Sequence, residues 1–282
     1  MKGKTKRRLI QFCKYVFLSI AAFLSIFPFF WMLIGTTNTS ADIMRNKLTL
    51  GTELFTNLSN LMQKNVGFLD GLWNSLRVSM ITTILALLVC SLAGYGFEMY
   101  RSKARDRIFN ALLLTMMIPF SAMMVPLYRM FAQFGKVSFL KSFALNTMGA
   151  MILPMVSTAF LIFFFRQNTK SFSKEMIEAA RMDGVREWGI FFRIYMPIMR
   201  STFSAAAIIT FMNTWNNYLW PLLVVQSPEN RTVPMVLSAL GASYTTDYGA
   251  LMMGIVIATL PTAILYFMMQ KEFVDGMTGS VK

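Results

Sequence analysis

Six apolar runs, near 15–35, 78–97, 109–128, 146–165, 202–223 and 250–269, most constrain this chain, since each reaches the roughly 20 residues a helix needs to cross a bilayer. No water is available there to satisfy backbone N–H and C=O groups, so each run must satisfy them within a helix. The 282 residues are 55% hydrophobic with a mean hydropathy of +0.52, more apolar surface than a soluble domain of this size buries. The expected fold is all-α and integral to the membrane, with six transmembrane helices. The expected order is a basic N-terminus at 1–14 and a first transmembrane helix at 15–35. An external segment at 36–77 follows, then a five-helix core at 78–269 containing a polar loop at 166–201, then a tail at 270–282. The basic start resembles the n-region of a signal peptide, but no small-residue cleavage site follows, so 15–35 reads as a retained span.

Charge sets the expected orientation. Segments 1–14, 98–108, 166–201 and 270–282 hold 19 of the 27 Lys and Arg residues. By the positive-inside rule, both termini and the 166–201 loop are cytoplasmic. The net charge of +14 then reads as loops facing anionic lipid rather than nucleic acid. Cys13 and Cys90 are the only cysteines and histidine is absent, so neither a disulfide nor a transition-metal centre is expected. None of the six runs holds Asp, Glu, Lys or Arg, whereas an ion-coupled carrier keeps an ionisable group in the membrane. Gly3-Lys4-Thr5 imitates the end of a phosphate-binding loop, but its first glycine and preceding strand are missing. The chain itself therefore holds neither an ion-coupling group in these runs nor a complete phosphate-binding loop.

The longest polar, helix-patterned stretch is Ser171 to Pro197. It reads as two short helices around a turn. Ser171 or Ser173 is expected to cap the first, and Glu175 suits its positive end. Gly184 is expected to stop that helix in the left-handed conformation. Pro197, lacking an N–H, ends or kinks the second. Trp188, Phe191, Phe192 and Tyr195 form an apolar stripe at spacings of three and four. The stretch reads either as an amphipathic linker on the membrane surface or as a docking element.

Two spans carry unusual residues. Pro119 and Pro126 in the third predict a bent helix that lines a path or a passive packing kink. The fifth holds Asn213, Thr214, Trp215, Asn216, Asn217, Tyr218, Trp220 and Pro221. Amides and aromatic faces together suit a sugar. Equally, the tryptophans can belong to the interfacial belt, with Trp220 near the outer surface, while the amides tie helices together. The candidate path residues are Asn213, Trp215, Asn216, Asn217 and Pro119.

Glu178-Ala179-Ala180, Asp183-Gly184, Ile194 and Pro197 resemble the EAA loop of ABC importer permeases. Trp215 to Pro221 resembles the W-N-E-F-x-x-P signature of their carbohydrate branch, with Asn217 in place of the acid. The ending, with Gln270, Phe273, Val274, Gly276, Met277, Thr278, Gly279, Val281 and Lys282, resembles the tail of maltose-system-type permeases. The resemblance covers most of the chain from about residue 74. It implies that Glu178, Ala179, Ala180, Asp183, Gly184, Ile194 and Pro197 couple to an ATPase through helices between spans 4 and 5. It implies that Gln270, Gly276, Thr278 and Gly279 touch the same ATPase. It further implies a bacterial cytoplasmic membrane location and one half of a heterodimeric path for a sugar or oligosaccharide. The implied partners are a second permease, two ABC ATPases that bind ATP and Mg, and an extracytoplasmic solute-binding protein, besides membrane lipids. This chain would bind no cofactor and catalyse no reaction. A scaffold or sensor using the same loop is the alternative, with an ion-coupled carrier behind it.

Overall fold

The computed structural model describes residues 2–63 and 66–278, and among them every regular element is a helix. The order is α1 (Lys2–Gly35), α2 (Ser40–Met44), α3 (Leu54–Leu61), α4 (Phe68–Met99), α5 (Lys103–Thr115), α6 (Phe120–Phe134), α7 (Met148–Val156) and α8 (Ala159–Thr169). Then come α9 (Lys174–Met182), α10 (Glu187–Ile190), α11 (Met196–Ile198), α12 (Arg200–Trp215), α13 (Leu219–Val224), α14 (Val233–Gly241) and α15 (Tyr248–Thr278). Three helices are long and apolar enough to cross a membrane unbroken: Ile10–Gly35, Phe68–Met99 and Tyr248–Lys271. Three further candidates are bent pairs, which bring the number to six if each pair counts as one span.

The breaks have local causes. α5 and α6 meet at 100°, with Pro119 as the N-cap residue of α6; the residue before a proline is pushed out of the helical region. α7 and α8 meet at 40°, where Thr158 leaves the helix and accepts from the Leu161 N–H at 3.3 Å, the behaviour of a capping hydroxyl. The Glu187–Ile198 and Arg200–Trp215 pair bends by 82° just after Pro197.

The chain divides into two compact units. The first comprises residues 1–68 and 237–260. In it the external segment is fastened by amides. Asn57 Nδ2 donates to the carbonyls of Thr36 and Asn38 at 2.8 and 3.0 Å. Asp247 accepts from Asn60 Nδ2 at 2.9 Å and from the Ala250 N–H at 3.0 Å, starting α15.

The second unit comprises 69–236 and 261–282, and α4 is its spine. Val78 belongs to a cluster with Phe131, Met151, Trp220, Val224 and Met235. Ala86 and Cys90 join Phe109, Leu161, Ile162, Phe165 and Ala206. Tyr95 joins Phe172, Ile177, Ala180, Ile190, Phe191, Tyr195 and Met199. One helix thus passes three cores over about 26 Å at its 1.5 Å rise per residue. Asn146, at φ 62°, holds the loop after α13 by accepting at Oδ1 from the Gln226 and Ser227 N–H groups, each at 3.0 Å.

α4 and α8 cross closely at Gly94. A Cβ there would lie 2.6 Å from the Phe165 Cβ and 2.8 Å from the Arg166 backbone nitrogen. Gly94→Ala is expected to lower the midpoint of thermal unfolding in detergent, by the roughly 1–3 kcal/mol that overpacking costs. Gly96→Ala is the control. Its added methyl would meet nothing within 4 Å, and the higher helix propensity of alanine should leave stability unchanged or slightly raised.

Candidate functional site: the 166–201 loop and the break after Trp215

The loop is built from two helices with distinct inner and outer faces. On α9, Ile177 and Ala180 are buried while Glu178, Ala179 and Met182 are exposed. The two alanines of the EAA pattern therefore differ: Ala180 packs in the core around Tyr95 and Tyr195, and Ala179 lies on the outer face beside Glu178. α9 stops in a Schellman motif. The Val185 N–H donates to the Ala180 carbonyl and the Gly184 N–H to that of Arg181, both at 3.0 Å. Gly184 sits at φ +78°, a conformation that Cβ-bearing residues adopt only with strain. Asp183 is the exposed C-cap residue. Ile194 packs against the buried cluster, and Pro197 is exposed in the bend before α12.

Two sequence expectations change here. Ser173 is the N-cap residue of α9 but makes no side-chain cap bond. Its hydroxyl donates to Glu175 instead, which holds the Glu175 carboxyl below its ordinary pKa, and the Ser171 hydroxyl donates to the Asn168 carbonyl at 2.7 Å. The aromatic stripe also divides. Phe191 and Tyr195 are buried, and Tyr195 Oη lies 2.6 Å from Thr169 Oγ1. Trp188 and Phe192 are 65% and 43% exposed and stack on each other. The cause is a π-helical turn over Phe191–Tyr195, which widens the helix and shifts the faces away from α-helical spacing.

Side chains clasp the two loop helices to the end of α4. Arg181 Nε donates to Glu187 Oε1 at 2.7 Å, the Tyr100 hydroxyl donates to Glu187 Oε2, and the Arg181 guanidinium lies 5.6 Å from the centre of the Tyr100 ring. The bond to Glu187 raises the Arg181 pKa further. Both ion-pair partners are over 40% exposed, so the clasp contributes about 0–1 kcal/mol. It sets the angle across the Gly184 turn more than it stabilises the fold.

A buried ionic group stands behind the loop, one the sequence reading missed. Arg166, at the end of α8, donates from Nε to Glu98 Oε2 at 3.3 Å and from Nη2 to Asp106 Oδ1. Its guanidinium carbon lies 4.0 Å from the centre of the Phe109 ring. The Arg166 and Glu98 side chains are only 6% and 5% exposed. Their sequence signal is faint: each follows the end of an apolar run by one residue.

The fifth-span amides lie at a second helix break. α12 ends at Trp215, and α13 starts at Leu219. Asn213, Asn216 and Pro119 are exposed and Asn217 is half-buried, whereas Trp215 is buried and stacked on Phe211. Asn216 Nδ2 donates to the Met212 carbonyl at 2.9 Å. Trp220 does not face outward as an interfacial-belt residue would. It is fully buried, donates from Nε1 to the Ala150 carbonyl at 2.9 Å, and meets Phe120 and Phe131 edge-on. Gln270, Gly276 and Thr278 lie on α15; Gly279 lies outside the described residues.

An all-helical chain with candidate spans interrupted by a polar loop of this build fits a transport subunit, and comparison with known proteins agrees. The model of the family described as "Binding-protein-dependent transport system inner membrane component" matches residues 86–278. The chain is 51% identical over 283 residues to the lactose transport system permease protein LacG of Rhizobium radiobacter, covering 100% of both chains. It is 35% identical to the arabinooligosaccharides transport system permease protein AraQ of Bacillus subtilis, over 95% of this chain and 94% of that one. Its fold matches a chain in the crystal structure of a bacterial ABC transporter involved in the import of the acidic polysaccharide alginate. That match has a TM-score of 0.80 at 19% identity, covering 94% of this chain and 97% of the other. The chain belongs to the family of inner membrane components of binding-protein-dependent transport systems. It is a multi-pass membrane protein and a permease subunit of an ABC transporter.

Proposed function

We propose that this chain forms half of the translocation path of a sugar importer, by alternating access, with a second permease as the other half. The 51% identity to a lactose permease along the full chain carries the reading. The similarity to an arabinooligosaccharide permease supports a saccharide as the solute. The exposed amides Asn213 and Asn216 suit its hydroxyls. Both termini and the 166–201 loop face the cytoplasm, consistent with the basic residues of the loops. Two partner ATPases, which bind ATP and Mg, engage the outer face of α9 at Glu178 and Ala179. The Schellman turn and the Tyr100–Glu187–Arg181 clasp carry their closure toward α4. The α15 end, from Gln270, makes a second contact with the ATPases. A solute-binding protein delivers the sugar from outside.

The test is reconstitution of both permeases, the ATPases and the binding protein in proteoliposomes. ATP-dependent accumulation of labelled lactose or an arabinooligosaccharide is expected only with every component present. Accumulation by this chain alone would overturn the reading. So would labelling of Ala179→Cys by an impermeant reagent from the exterior only.

A further inference from the structure

A groove of about 350 Å³ lies against the last turns of α4, lined by Ala93, Gly96, Phe97, Tyr100 and Arg105. Its lining changes with depth. Ala93, Gly96 and Phe97 lie inside the candidate span Phe68–Met99, while Tyr100 and Arg105 lie just beyond it. The floor is open, since a Cβ on Gly96 would meet nothing within 4 Å.

The charge around its polar end is one-sided. Arg105 lines it, and its sequence neighbours Arg101, Lys103 and Arg107 are likewise exposed. The three nearby carboxylates are already engaged: Glu98 and Asp106 by Arg166 and Arg101, and Glu187 by Arg181 and the Tyr100 hydroxyl. The Arg105 guanidinium has five N–H donors. It gives one to the Tyr100 carbonyl and lies 5.6 Å from the centre of the Tyr100 ring. An apolar trough within the membrane, ending in an aromatic hydroxyl and a cationic rim at the surface, complements one ligand chemistry from end to end. That ligand carries a hydrocarbon chain below and a phosphate monoanion above.

We infer that this groove binds an anionic glycerophospholipid, with an acyl chain along Ala93, Gly96 and Phe97 and the headgroup phosphate at Arg105. The leaflet rests on the orientation given under Proposed function: with residues 98–108 cytoplasmic, the lipid comes from the inner leaflet. Its site, beside the Tyr100 clasp on the coupling loop, makes local lipid composition an input to that loop.

The test uses the complete importer, delipidated in detergent and titrated with phosphatidylglycerol or with phosphatidylcholine of the same acyl chains, bound lipid being counted by native mass spectrometry. Wild type is expected to prefer phosphatidylglycerol. Gly96→Leu, whose Cβ meets nothing within 4 Å, should abolish retention of both lipids at an unchanged unfolding midpoint. Arg105→Gln should weaken phosphatidylglycerol retention about fivefold, the weight of one basic residue at a membrane surface, and phosphatidylcholine retention by less, since the choline cation offsets the same phosphate. Equal retention of the two lipids by wild type would overturn the inference, as would unchanged retention in Gly96→Leu. Displacement of the lipid by millimolar inorganic phosphate would point to a plain anion site and overturn it too. Cross-linking of Gly96→Cys to the partner permease would assign the groove to a helix instead. Orientation is read separately, from the side on which Lys103→Cys is labelled, so failure of the functional reading and failure of the lipid site remain distinguishable.

Discussion

Arg166→Ala is expected to prevent accumulation of folded protein in the membrane. The guanidinium is the shared partner of Glu98 and Asp106 and covers the Phe109 ring. Without it, a carboxylate that is 5% exposed keeps only the half-exposed Arg101, 3.7 Å away, as counter-charge in a low-dielectric setting. Breaking a buried pair in this way costs about 3–5 kcal/mol, a large part of the roughly 5–15 kcal/mol that holds a typical domain together. Arg166→Lys should recover only part of the loss, because an ammonium cannot span two carboxylates as a planar fork does. The double variant Glu98→Gln with Arg166→Met should be markedly more stable than Arg166→Ala, since it removes the stranded charge together with its partner. Thermal unfolding in detergent, followed by size-exclusion recovery, ranks the four proteins. An Arg166→Ala midpoint equal to wild type would show that the buried cluster does not support the fold.

The second large effect falls on transport, not on folding. Gly184→Pro should reduce ATP-driven uptake by more than about tenfold while the chain still inserts, because Pro fixes φ near −65° and Gly184 sits at +78°. The substitution also removes the Gly184 N–H that binds the Arg181 carbonyl. The Schellman turn must then open, and α10 leaves its angle to α9. Gly184→Asn is the graded control, since asparagine tolerates the left-handed region better than other side chains. Glu178→Arg should give the same loss of uptake by another route. Glu178 is exposed, so its replacement should change stability by no more than about 0.5 kcal/mol. It reverses the charge on the face proposed to meet the partner ATPase. Uptake and ATP hydrolysis are measured on the same proteoliposomes, and normal uptake in both variants would remove the loop from the coupling route.

How much of this was legible in the sequence depended on the range of the interaction. The apolar runs and the turn at Gly184 are local signals, written in hydrophobicity and in one residue without a Cβ. Pro119 and Pro197 announced two of the helix breaks, because a missing N–H acts on its own turn. The break at Thr158 was not announced, since a threonine inside an apolar run is common and only the fold shows it capping α8. The Arg166 cluster was invisible because its members come from α4, α5 and α8. Glu98 and Arg166 each directly follow an apolar run, where ordinary loop charges also stand. Trp220 carried an aromatic signal but no information on depth, and its bond to the Ala150 carbonyl depends on α7 lying beside α13. The stripe from Trp188 to Tyr195 misled because an α-helical period was applied across a π turn. Around the candidate path, Asn213 and Asn216 were legible as residue types. Their exposure at a helix break was not, since it depends on where α12 stops.

The division of α9 and α10 into faces has a consequence for how such a subunit can acquire a new motor. Residues that hold the loop to its own membrane spans, such as Ile177, Ala180, Phe191 and Tyr195, are hidden. Those offered outward, such as Glu178, Ala179, Met182 and Trp188, have almost no duties within the fold. Mutation can rewrite the second set without loosening the first. On the proposed docking of the ATPase to that outer face, a permease built this way can trade one energy-supplying subunit for another while its own interior stays the same.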